Sequence, residues 1–454
     1  MGPSLSRRTL LAGAAAAALL GARATRAAAV EIPATRAGAQ LSWILDQLTS
    51  GGKNLAPADI TPRFSPVFLS GLPEAGIIST FASFGPVMTP ATIARLEGGV
   101  TDQHAIALIN TPTGYWRIRL QLEFVEPYRI DDFFLEQVTI VTPPERPRSW
   151  EGLQPHFKSI APGSAFIAGE IVDGALSPIA SYQPGTVYPI ASSFKLFVLG
   201  TIATQVAAGE HAWSDTVTIS DDLRSLPSGM LYYAPAGSTY PLEYVVERMI
   251  AESDNTATDH VIHTAGRREI EQALGNLGHA HPELMTPLMY TREWFAMRMR
   301  FDDKQMANYA SASVSERRSI LKETVAPLAA TLLETDPWPG PAESDRIEWF
   351  ACVNDLAQVM ARLQTYATAT PTAVIGNALS FSPGMLFDPE DWSYVGFKEG
   401  YETGLKAMNW LLQRRDGRWF TLIGLIHDLK QEINGPKLHT LMAAAAGLLA
   451  RHDR

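Results

Sequence analysis

Ser192 and Lys195 stand three residues apart in Tyr188-Pro-Ile-Ala-Ser-Ser-Phe-Lys-Leu-Phe-Val-Leu199. A serine hydroxyl beside a lysine amine is a nucleophile beside a group able to take its proton. Phe194, Leu196, Phe197, Val198, Leu199, Ile202 and Val206 make the stretch apolar on nearly every side, and such a helix is a buried one. Residues i and i+3 share a helix face. The spacing therefore predicts Lys195 next to Ser192 on the first turn of a helix running through a domain. A helix start also offers free backbone N–H groups and a positive dipole end, which suits an oxyanion. The plainer alternative is a capping serine followed by an ordinary first-turn lysine. Two further polar triplets lie downstream, Ser253-Asp254-Asn255 and Lys398-Glu399-Gly400.

Composition narrows the chemistry. The chain has 454 residues, of which 46% are hydrophobic and 19% charged, which fits two or three ordinary globular domains. A formal net charge of −10 argues against a nucleic-acid partner or an anionic membrane surface. Cys352 is the only cysteine, so no intrachain disulfide and no cysteine-based zinc site is possible. The ten histidines are scattered, and no H-E-x-x-H pair, G-x-S-x-G elbow or Gly-rich phosphate loop is present. No cofactor is expected, and the expected partner is a small molecule.

Ser6-Arg7-Arg8-Thr9-Leu10-Leu11 is a twin-arginine pattern. It precedes a short Ala/Leu run and an A-x-A site at Ala27-Ala28-Ala29 or Ala22-Arg23-Ala24. Residues 1–29 are read as a signal peptide directing export to the periplasm or beyond. No later segment is apolar enough to span a membrane.

The elements that must position the polar residues follow in order. Leu41, Ile44, Leu45 and Leu48 mark an amphipathic helix, and another is expected around 63–69. Period two then takes over. Trp116, Ile118, Leu120, Leu122 and Phe124 alternate with polar residues, 105–109 pairs with them, and 128–134 offers a third strand. Residues 30–140 thus form a small α+β domain. Asp131 and Asp132 are read as solvated carboxylates at a strand end. Residues 141–149 are a Pro-rich linker. From 150 to 454 the order is strands at 166–172 and 179–182, the serine–lysine helix, and further helices at 242–250, 315–332 and 349–366. Strands at 394–398, 408–413 and 419–426 and a helix at 437–450 end the chain. One sheet is therefore built from both ends of this domain, with helices between.

The three triplets, in this order and spacing, resemble the S-x-x-K, S-D-N and K-T-G set of class A β-lactamases and penicillin-binding proteins. Met249-Ile-Ala-Glu-Ser-Asp-Asn-Thr-Ala257 is similar to the family's run around its second motif. The resemblance covers about residues 150–454. It implies an antiparallel sheet with helices and an acyl-enzyme mechanism, with Ser192 as nucleophile and Lys195 as its base. Lys398 would be the neighbouring cation that keeps Lys195 neutral. Ser253 would relay the proton to the leaving group, and Asn255 would bind the substrate amide and position Lys195. Backbone N–H groups of Ser192 and Tyr401, which follows Gly400, would form the oxyanion hole.

Two departures stand out. Glu399 replaces the hydroxyl residue that meets a substrate carboxylate, so an acidic substrate would be repelled. No E-x-x-L-N run supplies a deacylating glutamate, and Glu293 is the nearest candidate. Its simpler reading is a glutamate stabilised by a helix N-terminus. The first domain looks like the cone-shaped ketosteroid-isomerase and cystatin-like folds. The two-domain order is similar to that of the β-lactamase-fold protein of the clavulanic acid biosynthetic cluster. The expectation is a serine hydrolase acting on a β-lactam, ester or related acyl compound. An esterase with little β-lactamase turnover, a covalent β-lactam binder and a D,D-peptidase are the alternatives.

Overall fold

The computed structural model describes residues 30–138, 149–226, 228–336, 345–367, 374–430 and 432–453. The twin-arginine segment and residues 141–148 of the linker lie outside the described residues. The chain divides into two compact units, Met1–Ile140 with Tyr233–Pro235, and Val141–Tyr232 with Ala236–Arg454.

The first unit packs helices on one sheet. Its helices are α1 (Arg36–Ser50), α2 (Pro57–Ile60), α3 (Pro66–Gly71) and α4 (Glu74–Met88). Thr35 caps α1, accepting from the Gly38 N–H, and the stripe Leu41, Ile44 and Leu48 is buried, as its spacing requires. Strands β1 (Thr92–Val100), β2 (His104–Thr111), β3 (Gly114–Leu122) and β4 (Ile130–Val138) form an antiparallel sheet in that order. Sequence periodicity missed α4 and β1. α4 is apolar on most sides and contains Pro86, and β1 is interrupted by bulges, so neither shows a clean period. Asp131 and Asp132 are not solvated: both are buried on β4, and Ser65 donates a hydrogen bond to Asp131.

The second unit opens with α5 (Trp150–Ile160), β5 (Gly163–Val172), β6 (Ala175–Tyr182) and β7 (Tyr188–Pro189). A 3₁₀ turn over Ala191–Phe194 leads into α6 (Lys195–Ala207). Then come β8 (Thr216–Thr218), β9 (Thr239–Pro241), α7 (Leu242–Ala251), α8 (Asn255–Ala265), α9 (Arg267–Ala273), α10 (Thr291–Arg300) and α11 (Asp303–Ser311). α12 (Val314–Ile320) continues through a wider turn into α13 (Ala326–Ala329). The last elements are β10 (Phe350–Ala351), α14 (Val353–Ala367), α15 (Val374–Ser380), β11 (Trp392–Glu402), β12 (Leu405–Arg414), β13 (Trp419–His427) and α16 (Gly435–Ala450).

The sheet runs β11-β12-β13-β5-β6, antiparallel throughout. It joins the two ends of the unit, as the strand–helix–strand order implies. One face carries Phe166, Ala168, Met408, Trp410, Phe420 and Leu422, packed with Leu441, Met442 and Leu449 of α16 and Leu153 and Phe157 of α5. α14 packs on β5, β12 and β13, whose other face is also apolar and buried at Ile167, Leu411 and Ile423. α6 is buried from Lys195 to Ala203. That explains its apolar composition, and it leaves the Lys195 amine in the interior.

Candidate active site

The nucleophile turn is held from three sides. The Ile190 N–H donates to the Trp349 carbonyl at 2.9 Å, and Phe194 stacks on Trp349 with ring centroids 4.0 Å apart. Asn409 of β12 donates from Nδ2 to Ser193 Oγ and to the Lys398 carbonyl, both at 2.8 Å. On β11, a Cβ at Gly400 would fall 2.2 Å from the Ile190 carbonyl oxygen and 2.9 Å from Ser193 N. Any side chain there would drive the strand away from the turn, which is the physical reason the third triplet ends in glycine. Ser192 itself is half-buried.

Ser253 joins the other two polar centres. Its backbone is left-handed, φ 58°, and the loop holding it is tightly bonded. Asp254, fully buried, caps α8 by accepting from the Ala257 N–H and also accepts from the Leu231 N–H, both at 2.8 Å. Gly229, at φ +88°, lies so close to Asp254 that a Cβ would sit 2.1 Å from its carboxyl oxygen. Ser228 Oγ donates to the Ser253 carbonyl at 2.6 Å. These bonds hold a strained residue in place.

Lys195 is 0% exposed. Its Nζ lies 2.6 Å from the Ser253 carbonyl, 2.8 Å from Asn255 Oδ1 and 3.2 Å from Ser253 Oγ. Asn255 is fixed in turn, its Nδ2 donating to the Leu226 carbonyl at 3.0 Å. Lys398 Nζ reaches the same Ser253 Oγ at 2.9 Å and its neighbour's carbonyl, that of Glu399, at 2.7 Å. One hydroxyl therefore stands between two buried amines. Burial holds Lys195 well below the ordinary lysine value, and the Lys398 ammonium adds to this, while Asp254 and Asp259 oppose it. Burial brings Lys398 down to about 7, against the pull of Glu399.

The structure thus brings Ser192, Lys195, Ser253, Asn255, Lys398 and Gly400 around one turn, with Tyr401 next on β11. Glu399 is otherwise engaged. Its carboxylate pairs with Lys406 across the β11–β12 ladder, and its side chain is 37% exposed. Glu293 is buried, accepting from Arg267 at 2.7 Å with one oxygen and from the Tyr290 N–H at 2.9 Å with the other. It caps α10, and each of its oxygens is held in a structural bond, which fits the helix-terminus reading. Asn409 and Trp349 were missed by sequence reasoning. The signal for Asn409 was present, an amide inside the apolar strand Ala407-Met-Asn-Trp-Leu411; nothing marked Trp349. Among the described residues no three His, Cys, Asp or Glu side chains gather where a metal could sit.

Residues 165–373 match the β-lactamase enzyme family. The second unit carries a β-lactamase family domain. The match points to a serine hydrolase of the β-lactamase and penicillin-binding-protein fold. Residues 32–124 match the family described as the ORF 12 gene product N-terminal region. Solved structures similar to the chain include PBP-A, at 18% identity over 68% of this chain and 98% of that one, with a TM-score of 0.44. A β-lactamase from Chitinophaga pinensis shares 14% identity over 67% and 98%, with a TM-score of 0.45. One from Sphaerobacter thermophilus shares 17% over 66% and 96%, with a TM-score of 0.43. No curated protein matches the chain.

Proposed function

We propose that the β-lactamase-like domain hydrolyses acyl compounds through an acyl-enzyme on Ser192, with neutral esters as its preferred substrates. The observation that carries this reading is the shared hydroxyl of Ser253 between the two buried lysines. A neutral Lys195 has two N–H hydrogens, and the Ser253 carbonyl and Asn255 Oδ1 take them. Its lone pair is then free to accept a proton, and Ser192 stands one helical turn away. Ser192 Oγ attacks the substrate carbonyl carbon as Lys195 takes the Ser192 proton. The developing oxyanion is met by the backbone N–H groups of Ser192 and Tyr401. As the bond to the leaving group breaks, the Lys195 proton passes through Ser253 to the departing oxygen or nitrogen, with the Lys398 ammonium favouring the negative charge.

Substrate preference follows from Glu399. A position that would need a hydroxyl donor for a substrate carboxylate carries a carboxylate engaged with Lys406. Penicillins and D-Ala-D-Ala peptides bring a carboxylate and find no donor there, which favours the esterase reading over the D,D-peptidase. A panel of a chromogenic cephalosporin, short-chain aryl esters and a D-Ala-D-Ala peptide, each with intact-mass readout, tests this. Ester turnover with weak cephalosporin turnover is expected. A stable adduct with the cephalosporin and no ester turnover would favour the covalent binder.

We also propose twin-arginine export. Its support is Arg7-Arg8 ahead of a short apolar run. A reporter fused to residues 1–29 should leave the cytoplasm, and lysine at both positions should stop it. Export that survives the double change overturns the proposal.

A further inference from the structure

A hydrolase that turns over needs a base for the deacylating water, and both oxygens of Glu293 are engaged in holding α10 and Arg267. Among the described residues, Glu402 is a buried acid whose two carboxyl oxygens both lack a hydrogen-bond partner. It is 6% exposed and ends β11, two residues after Gly400 and four after Lys398. Alternate residues of a strand share a face, so Glu402 points to the same side as Lys398 and Gly400. On that side Gly400 closes on Ile190 and Ser193. Glu402 also directly follows Tyr401, the proposed oxyanion donor.

Glu348 approaches from the other side. It precedes Trp349, whose carbonyl holds Ile190. One of its oxygens accepts from the Trp349 N–H at 3.0 Å, and the Trp294 side chain also bonds its carboxyl. Arg298 of α10 lies 3.6 Å from Glu402, beyond hydrogen-bond length. The two unbonded oxygens of Glu402 beside one guanidinium, next to the nucleophile turn, form a polar site of the kind that holds a water.

We propose that Glu402 is the base that takes a proton from the water hydrolysing the Ser192 acyl-enzyme, with Glu348 as its neutral neighbour. The inference rests on Ser192 acylation as argued above. The water oxygen bonds to the acyl carbon while one of its protons passes to Glu402. The tetrahedral intermediate then expels Ser192 Oγ, and the proton that Glu402 took returns to it through Lys195, which leaves Ser192 protonated, Lys195 neutral and Glu402 ionised as at the start. The acid product leaves and ionises in solvent. Burial supports the role. It brings Glu402 up to about 7 against the pull of Arg298, and it raises Glu348 well above the ordinary value, with Glu402 adding to this. A base with that affinity is half ionised near neutrality and takes protons readily.

The test is pre-steady-state hydrolysis of p-nitrophenyl acetate by the full chain, with intact-mass readout. Wild type should give a burst, then turnover whose deacylation rate rises with pH through about 7. Glu402→Gln should keep the burst rate within about threefold and slow deacylation by about 100-fold or more, so that the acetyl adduct accumulates on Ser192. Glu348→Gln should keep turning over with the deacylation midpoint close to that of wild type, because Glu348 is already neutral where Glu402 ionises. Wild-type deacylation by Glu402→Gln, or loss of burst and deacylation together, overturns the proposal. If Glu402→Gln does not fold, the wild-type profile decides, and deacylation that stays flat from about pH 5 to 9 overturns it. No adduct on Ser192 in any protein would instead remove the acyl-enzyme reading itself.

Discussion

Lys195 Nζ and Asn255 Oδ1 are 2.8 Å apart, both buried, and the amide's other end is anchored on the Leu226 carbonyl. This pair keeps a neutral amine aimed at the nucleophile turn. Asn255→Asp would put a carboxylate at that distance and favour the charged amine. Lys195 would then lose its proton only at higher pH. The acid limb of the acylation rate should move to higher pH by at least one unit, with the alkaline limb unmoved. Stopped-flow acylation by an aryl ester reads both limbs.

Lys398 gives the alkaline limb. Its value of about 7 means the ammonium that assists proton transfer is lost above neutrality, so acylation should fall as pH rises through 7. Lys398→Arg keeps the charge at all accessible pH and should remove that limb, at a lower maximal rate.

The same burial makes a stability prediction. Lys398 is depressed in the folded protein, so between pH 7 and its ordinary value of 10.5 the unfolded chain holds a proton that the folded chain does not. Stability therefore rises with pH across that window. Lys398→Met should be inactive, about 1–2 kcal/mol more stable at pH 7, and less dependent on pH from 7 to 10. Urea denaturation at several pH values measures this. A destabilised Met variant would show that the bond to Ser253 outweighs the buried charge.

How much of this was legible follows from the kind of signal each part leaves. α6 announced itself through a run of apolar residues with one lysine, and the β5–β13 sheet through segments bounded by turns. Lys195, Ser253, Asn255 and Lys398 were legible because each is a polar residue at a fixed offset within a short triplet. Contacts made across the fold leave no such mark. Asn409 on Ser193 and Glu348 near Glu402 each join residues far apart in the chain, and Lys406 meets Glu399 only through the register of a hairpin, so only the folded structure shows them. Asp131 and Asp132 were misjudged for a related reason: adjacent acids look solvated in sequence, yet the sheet buries both.

Gly229 tests how the Ser253 loop is held. Its φ of +88° and its approach to Asp254 mean that Gly229→Ala must strain the backbone and displace the capping carboxylate. A loss of about 2–4 kcal/mol is expected, with acylation reduced by at least tenfold because Ser253 shifts. Unchanged stability would show that Asp254 does not fix the loop.

Glu399→Thr removes a carboxylate, restores a hydroxyl and releases the Lys406 ammonium. All three changes favour a substrate carboxylate. KM for a penicillin should fall about tenfold, equivalent to about 1.4 kcal/mol, while a neutral ester changes little. Equal effects on both substrates would show that this position does not set specificity.

The central claim is that Ser192 is acylated with Lys195 as its base. The most direct measurement is peptide mapping after reaction with an aryl fluorophosphonate, in wild type, Ser192→Ala and Lys195→Ala. The account predicts one adduct, on Ser192, absent in Ser192→Ala and formed at least 100-fold more slowly in Lys195→Ala, with both variants folded. An adduct on Ser193 or Ser253, or undiminished labelling of Lys195→Ala, would contradict it.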